Sequence, residues 1–119
     1  MDTEQNTHSG FGCPLEVAIE IIGGKWKVPI LYHLQSGTKR FNELKRLMPR
    51  VTQRMLTKQL RELEHDQIIH RKVYAEIPPR VEYSITEFGL TLSPLLKVLH
   101  AWGTEYFDKL TVIRHGAAK

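Results

Sequence analysis

Cys13 is the only cysteine of the 119-residue chain, so any thiol chemistry belongs to this side chain. It directly precedes Pro14, and proline is well suited to the first position of a helix. At a helix start, the dipole and the free N–H groups stabilise a thiolate. Two interpretations stay open, because cysteine also behaves as a small apolar residue that is buried in a domain.

A second group of chemically useful side chains lies in the segment TQRMLTKQLRELEHD, residues 52–66. Arginine can form paired hydrogen bonds with guanine, glutamine can do so with adenine, and threonine can contact a thymine methyl group. The same pattern also fits an ordinary amphipathic helix with a solvated face. The candidates for base contacts are Gln53, Arg54 and Thr57, and those for phosphate contacts are Thr52, Lys58 and Arg61.

Positive charge is concentrated in the middle of the chain. Residues 24–80 hold 13 Lys and Arg against 5 Asp and Glu, residues 1–23 hold none against 4, and residues 81–119 hold 4 against 4. This distribution suits a surface that binds a polyanion, although a solvated basic face explains the charge equally well. Further basic residues at expected helix starts or turns, where phosphate contacts often arise, are Lys25, Lys27, Lys39, Arg40 and Arg50.

Enzyme and metal-site patterns are weak. The six histidines are scattered, and His65 and His70 have no Cys or acidic pair that would complete a metal-ligand set. No Ser-His-Asp arrangement or nucleotide-binding motif is present. We therefore expect neither an enzyme nor a cofactor or metal site.

Two apolar helices are expected within the first 34 residues. The first begins at Pro14 and ends at Gly23-Gly24, and its apolar residues cover more than one face, as expected of a helix with two neighbours or a partner chain. The second runs from about Trp26 to Leu34, with Pro29 tolerated near its start.

The polar and basic group falls in the second of two helices joined by "PRV". Thr52 is a suitable N-cap for this helix, and such a helix pair is expected to form a helix-turn-helix motif. The inward-facing residues are expected to be Phe41, Leu44, Leu47 and Met48 in "FNELKRLM", and Leu56, Leu60 and Leu63 in the helix after it.

The sequence then changes to the alternating pattern of strands. "IIHRKVY" and "VEYSIT" are strand candidates, with Val81, Tyr83 and Ile85 on one face of the second. Their connection contains Pro78-Pro79, which makes a stiff tip that would present Arg80 to a minor groove or a phosphate. "QSGTKR", residues 35–40, is expected to be a turn.

A last helix is expected from a cap at Thr86 to about Leu110, kinked or split near Ser93 by Pro94. Its apolar residues recur every three or four positions: Phe88, Leu92, Leu95, Leu99, Trp102, Tyr106 and Leu110. Residues 1–12 and 111–119 are expected to be flexible tails around one domain, residues 13–110.

The order of elements predicts an α+β, mainly helical fold, a winged helix-turn-helix domain with an added helix at each end. Four segments in one register resemble the HxlR-type winged helix-turn-helix regulators, over roughly three-quarters of the chain. These segments are GGKW (23–26), RFNEL (40–44), RML (54–56) and PRVEYS (79–84).

The resemblance implies a homodimeric bacterial transcription factor that binds palindromic operator DNA through this domain and dimerises through its terminal helices. Some family members resemble thiol sensors of oxidants or electrophiles that use the cysteine aligned with Cys13. The apolar end segments favour a dimer independently, although they could instead close the core of a monomer. We expect the interface to include Leu15, Ile19, Leu95, Leu99, Trp102 and Tyr106.

Two rival functions remain: a winged-helix module that binds proteins and no DNA, and a regulator of the same fold without redox sensing. The polar and basic residues at positions 53, 54, 57 and 58 favour DNA over protein. The N-terminus lacks the pattern of a signal peptide, no apolar run is long enough for a membrane span, and a single cysteine suits the cytoplasm. With one cysteine per chain, oxidation can form only a symmetric Cys13–Cys13′ bridge or a mixed disulfide, and electrophiles can alkylate the thiol.

Overall fold

A computed structural model describes residues 12–116 of the chain. The expected N-terminal tail, residues 1–12, lies outside the described residues apart from Gly12. In chain order the elements are α1 (Pro14–Ile22), α2 (Lys27–Leu34), β1 (Lys39–Arg40), α3 (Phe41–Leu47), α4 (Gln53–His65), β2 (Ile69–Tyr74), β3 (Arg80–Ile85), α5 (Glu87–Leu90), α6 (Ser93–Glu105) and α7 (Phe107–His115).

Helices α3 and α4 form the expected helix-turn-helix. The connection between them is tightened by a hydrogen bond from the Val51 backbone N–H to the Met48 carbonyl, at 3.2 Å. Thr52 caps α4 as predicted, because its Oγ1 accepts a hydrogen bond from the Met55 N–H at 3.0 Å. The first turn of α4 is therefore well defined at the point where its polar side chains begin.

The core lies between α2, α3, α4 and one face of the sheet. The predicted stripe of α4 is fully buried, and α6 adds only Leu96. Leu47 is a correction, since it is 46% exposed. Met48 is buried as predicted, and Val51 of the turn is buried as well. The buried apolar residues are Ile22, Ile30, Leu31, Leu34, Leu44, Met48, Val51, Leu56, Leu60, Leu63, Ile68, Ile69, Tyr83 and Leu96.

The sheet has three antiparallel strands in the order β1-β3-β2. The two predicted strands are confirmed, and Val81, Tyr83 and Ile85 of β3 pack against the core. Part of the expected turn at residues 35–40 is a strand: β1 pairs Lys39 with Tyr83. Two residues carry no alternating pattern, so β1 is defined by its partner strand and not by its own sequence.

The last helix of the sequence prediction is three helices. Thr86 caps α5, as expected, and the helix breaks after Leu90, just before Pro94 enters the first turn of α6. A second break lies at Tyr106, where no proline predicts one. The split near Ser93 is therefore confirmed, and the additional break at Tyr106 divides this part of the chain into three helices.

Helix α7 continues to His115, so residues 111–115 are helical where a tail was expected. The basic residues Arg114 and His115 in its last turn favour this extension through the helix dipole, and Gly116 ends it at φ +83°. The architecture is a winged helix-turn-helix with helices added at both ends, which confirms the predicted fold class. Among residues 12–116, no helix has the length and apolar character needed to cross a membrane.

Candidate nucleic-acid interface

The outer side of α4 is a polar and basic face, opposite its buried stripe. Four of the predicted contact residues are exposed there and Thr57 is half-buried. We call this set the recognition face: Gln53, Arg54, Thr57, Lys58 and Arg61. A shallow groove of about 700 Å³ is lined by the same five residues and Glu62, so the helix places the predicted set on one continuous surface.

The arginines of the recognition face are the side chains most available to a ligand. Within residues 12–116, neither Arg54 nor Arg61 is in an ion pair. Lys58 is partly committed, because its Nζ lies 2.6 Å from Glu62 Oε2. The Thr57 hydroxyl donates to the Gln53 carbonyl at 2.9 Å and still has its methyl group and lone pairs to offer. The face therefore combines free guanidinium groups with side chains that are already ordered.

Lys27 is a correction, because this predicted phosphate contact is buried beneath α4. Its Nζ lies 2.8 Å from Glu62 Oε1, and Lys58 binds the other oxygen of that carboxylate. Hydrogen bonds from Lys27 and then Lys58 lower the pKa of Glu62 to about 2. A buried ammonium group needs such a partner, so the pair fixes the start of α2 against the middle of α4.

Gly24 allows a close approach of the α1–α2 connection to α4. Its φ is +103°, and a Cβ there would lie 3.0 Å from Gln59 Oε1. Gln59 is buried and its Nε2 lies 3.4 Å from Glu62 Oε1. The sequence signal for this junction is the GGKW segment, but its ionic partner, Glu62, could not be identified without the fold.

The other predicted phosphate contacts surround the motif at several distinct points. Arg40 is exposed at the N-terminus of α3, and Arg50 is exposed in the turn before α4. Lys39 is half-buried in β1, with its Nζ 3.0 Å from Ser36 Oγ. Lys25 is exposed, with its Nζ 5.1 Å from the centre of the Trp26 ring. All four remain predicted contacts, and only Arg50 directly precedes the recognition face along the chain.

The hairpin of β2, β3 and the loop 75–79, here called the wing, does not leave Arg80 free at its tip. Arg80 begins β3, and its guanidinium Cζ lies 3.9 Å from the centre of the Tyr74 ring. Glu76 and Glu82 lie within 3.5 Å of its nitrogens. The exposed cations of the wing are Arg71 and Lys72, which the sequence prediction missed although "HRK" (70–72) is a basic run.

Cys13 is exposed and is the N-cap residue of α1. Its backbone carbonyl accepts a hydrogen bond from the Glu16 N–H at 3.0 Å, and its side chain makes no capping hydrogen bond. The interpretation of this cysteine as a buried apolar residue is wrong. Its thiol is open to solvent at the start of a helix, and its reactivity stays a prediction.

The terminal helices expose the residues predicted for an interface. Only Ile22 of α1 and Leu96 of α6 are buried, and none in α7, so these helices do not close the monomer's core. The Trp102 and Tyr106 rings contact each other at 5.3 Å between centres. The terminal apolar surface is defined here as the six predicted residues, all of them exposed: Leu15, Ile19, Leu95, Leu99, Trp102 and Tyr106.

Comparison with known proteins agrees with this geometry. A family model described as HxlR-like helix-turn-helix matches residues 21–111. The chain belongs to this family. It is 59% identical to the HTH-type transcriptional regulator YdeP of Bacillus subtilis (strain 168) over 99 residues, which cover 83% of this chain and 77% of YdeP.

Two solved structures of the redox regulator HypR are also similar to this member of the HxlR-like family. The oxidised form is 56% identical with a TM-score of 0.76, covering 78% of this chain and 96% of that one. The reduced form is 54% identical with a TM-score of 0.78, covering 82% and 97%. These relatives are regulators and not enzymes, which confirms that the chain is a helix-turn-helix transcriptional regulator.

Proposed function

We propose that this regulator is a homodimer that binds a palindromic operator in a sequence-specific manner. The observation that carries the proposal is the recognition face, where Arg54 and Arg61 are free of ion pairs within residues 12–116 and α4 is anchored from beneath by Lys27 and Glu62. In helix-turn-helix proteins such a helix lies in the major groove, with its N-terminal residues at the bases. Gln53, Arg54 and Thr57 occupy that part of α4.

The terminal apolar surface supports the dimer. Trp102 and Leu15 are 56% and 69% exposed, which is unfavourable for large apolar groups unless a protein covers them. A second copy of the chain is the partner that supplies an equal surface, and twofold pairing would repeat the recognition face. Two such faces would contact half-sites about one DNA turn, or a multiple of it, apart. Since the proposed ligand is DNA, we expect the protein to act in the cytoplasm.

Selection of duplexes from a random pool tests the proposal. Wild-type protein is expected to enrich an inverted repeat, with Arg54→Ala relaxing the preference at one position in each half. Lys97→Ala, an exposed cation on α6, is the matched control and should enrich the same repeat as wild type. Enrichment of an asymmetric site, or of no sequence, would contradict the proposed mode of binding.

Cys13 is the proposed sensor of oxidants or electrophiles. It is exposed, it begins the helix that carries Leu15 and Ile19, and structures of the similar HypR are described as a redox regulator in oxidised and reduced forms. Diamide would take two electrons and two protons from two Cys13 thiols as an S–S bond forms between subunits. With a quinone, the thiolate would form an S–C bond by addition and a proton would complete the product.

The sensing step is tested by DNA binding before and after diamide, with Cys13→Ser as the comparison. Wild-type affinity is expected to change and to recover with dithiothreitol, whereas the serine variant should bind equally in all three conditions. If both proteins lose DNA binding under diamide to the same extent, Cys13 is not the sensor, and the chain is a regulator without thiol control.

A further inference from the structure

We propose that Arg80 is a positioning residue that holds the wing in shape, and that Arg71 on the neighbouring strand makes the phosphate contact of the wing. This division of roles rests on the proposed binding to DNA. It reverses the expectation from sequence, in which Arg80 at a stiff proline tip would contact DNA. The structure supports this division because the two arginines have different surroundings. Arg80 contacts an aromatic ring and two carboxylates, whereas Arg71 is exposed.

Arg80 is already occupied by groups of its own hairpin. Its side chain is 28% exposed and stacks on the Tyr74 ring. Nη2 lies 3.3 Å from Glu76 Oε2, and Nε lies 3.5 Å from Glu82 Oε2 and is shielded from solvent. A phosphate that approached this guanidinium would have to displace one carboxylate, and both carboxylates would repel it.

The three partners of Arg80 come from three parts of the wing. Tyr74 ends β2, Glu76 lies in the loop and Glu82 lies in β3. Stacking on the ring and contacts with two carboxylates need a planar, forked cation, which arginine provides and lysine does not. Arg80 therefore links both strands to the loop between them.

Arg71 is exposed and within residues 12–116 is in no ion pair. In the sheet it pairs with Tyr83 and shares a face with Ile69, and both of these residues are buried against the helical body. Arg71 therefore lies on the side of the wing that is turned toward the body containing α4.

Lys72, the neighbouring exposed cation, lies on the opposite face of the wing. It pairs with Glu82 across the strands, and its Nζ lies 4.9 Å from the centre of the Tyr74 ring. Lys72 thus lies on the same face as Arg80 and against the same Tyr74 ring. Arg71 is left as the cation of the wing that combines exposure, freedom from carboxylates in the described chain and the side facing the body.

The salt dependence of DNA binding separates the two roles. Log K falls as log salt concentration rises, and each phosphate contact increases the magnitude of this slope by about 0.9. Arg71→Ala is expected to lower the slope by about this amount on operator and on random duplex alike. Arg80→Ala is expected to weaken operator binding severalfold with the wild-type slope retained. Lys97→Ala, on α6, serves as the control with unchanged slope and affinity.

Hydrogen exchange on the DNA-free protein gives an independent readout of the wing. Exchange in residues 74–82 is expected to accelerate in Arg80→Ala and also in Arg80→Lys, which keeps the charge but cannot stack and fork. Arg71→Ala should exchange as wild type does. Unchanged exchange over the rest of the described chain would show that the variants remain folded.

A lower slope in Arg80→Ala that Arg80→Lys restores would overturn the proposal, as would an unchanged slope in Arg71→Ala. If wild-type protein showed no salt-dependent binding to duplex DNA, the proposed function itself would fail, and with it the role of Arg71. The exchange experiment needs no DNA and would still decide whether Arg80 holds the wing.

Discussion

The recognition face and the terminal apolar surface are both exposed, yet their chemistry differs completely. Arg54 and Arg61 are solvated cations on a helix that is packed into the core along one side. Trp102 and Leu15 are exposed apolar groups on helices that contribute one buried residue each to the core. A charged face on a rigid helix suits an ionic ligand, whereas an apolar face on a weakly anchored helix suits a protein partner.

The largest expected effect comes from placing charged side chains in the terminal apolar surface. If the proposed dimer forms, Leu15→Glu combined with Trp102→Glu should convert it into a monomer, since an apolar interface cannot bury four added carboxylates. Affinity for a two-half-site duplex is expected to fall by at least about 100-fold with the loss of the second contact. Sedimentation gives the mass, and fluorescence anisotropy gives the affinity.

Lys97→Glu is the matched control for this pair of substitutions, because it adds a carboxylate to an exposed position of α6 outside the terminal apolar surface. It should leave both the mass and the affinity as in wild type. A dimer that survives the double substitution would place the interface elsewhere.

The recognition face is disturbed more selectively by Arg54→Ala. Loss of a paired contact with a base is expected to cost about 1–3 kcal/mol on the selected duplex and to relax the preference at one position. Arg61→Ala is the comparison, since a phosphate contact should weaken binding to every duplex alike. Equal weakening of all sequences by Arg54→Ala would make Arg54 a phosphate contact as well.

Thr52 caps the helix that carries the recognition face, so its loss should lower the free energy of unfolding. Thr52→Ala removes the oxygen that accepts from the Met55 N–H, and a lost N-cap typically costs about 1 kcal/mol. Thr57→Ala is the matched control, because its hydroxyl donates to a carbonyl within the helix and fills no unpaired N–H. Urea denaturation measures both, and similar losses in the two variants would remove the special role of Thr52.

The last prediction concerns the ion pair of Lys27 and Glu62 beneath the recognition face. The pKa of Glu62 is lowered from its ordinary value of 4.5 to about 2 by hydrogen bonds from Lys27 and Lys58. Its ionised form therefore stabilises the folded chain fully above about pH 4.5, and this contribution is lost as the pH falls toward about 2.

Glu62→Gln tests this pH dependence. Thermal unfolding between pH 5 and pH 2.5 should become less pH-dependent in the variant, which cannot gain or lose the proton. Glu64→Gln, two residues along α4, is the control and should keep the wild-type profile, because Glu64 is in no ion pair within residues 12–116. Parallel profiles for wild type and Glu62→Gln would contradict the anchor.

Most of the fold could be predicted from periodicity and caps. The α4 stripe at Leu56, Leu60 and Leu63, and the caps at Thr52 and Thr86, are local features that the structure confirms. The strand β1 was missed because its partner strand defines it and two residues carry no alternating pattern. The break at Tyr106 was missed because no proline or glycine stands at that position.

The candidate site was predictable where it depends on one element and not where it depends on several. The recognition face follows from a single helical period, so its five members lie together as expected. The burial of Lys27 and the capture of Arg80 depend on Glu62, Glu76 and Glu82, which come into range only after folding. A basic residue in a sequence is therefore a contact candidate only until its carboxylate neighbours are known.

A hydroxyl-radical footprint of wild-type protein on the selected duplex tests the central claim most directly. Two protected segments related by a twofold axis, with centres about one helical turn or a multiple of it apart, are the predicted result. The Leu15→Glu, Trp102→Glu variant should protect neither segment at the same concentration. A single asymmetric protected segment, present in both proteins, would contradict the division of roles between the recognition face and the terminal apolar surface.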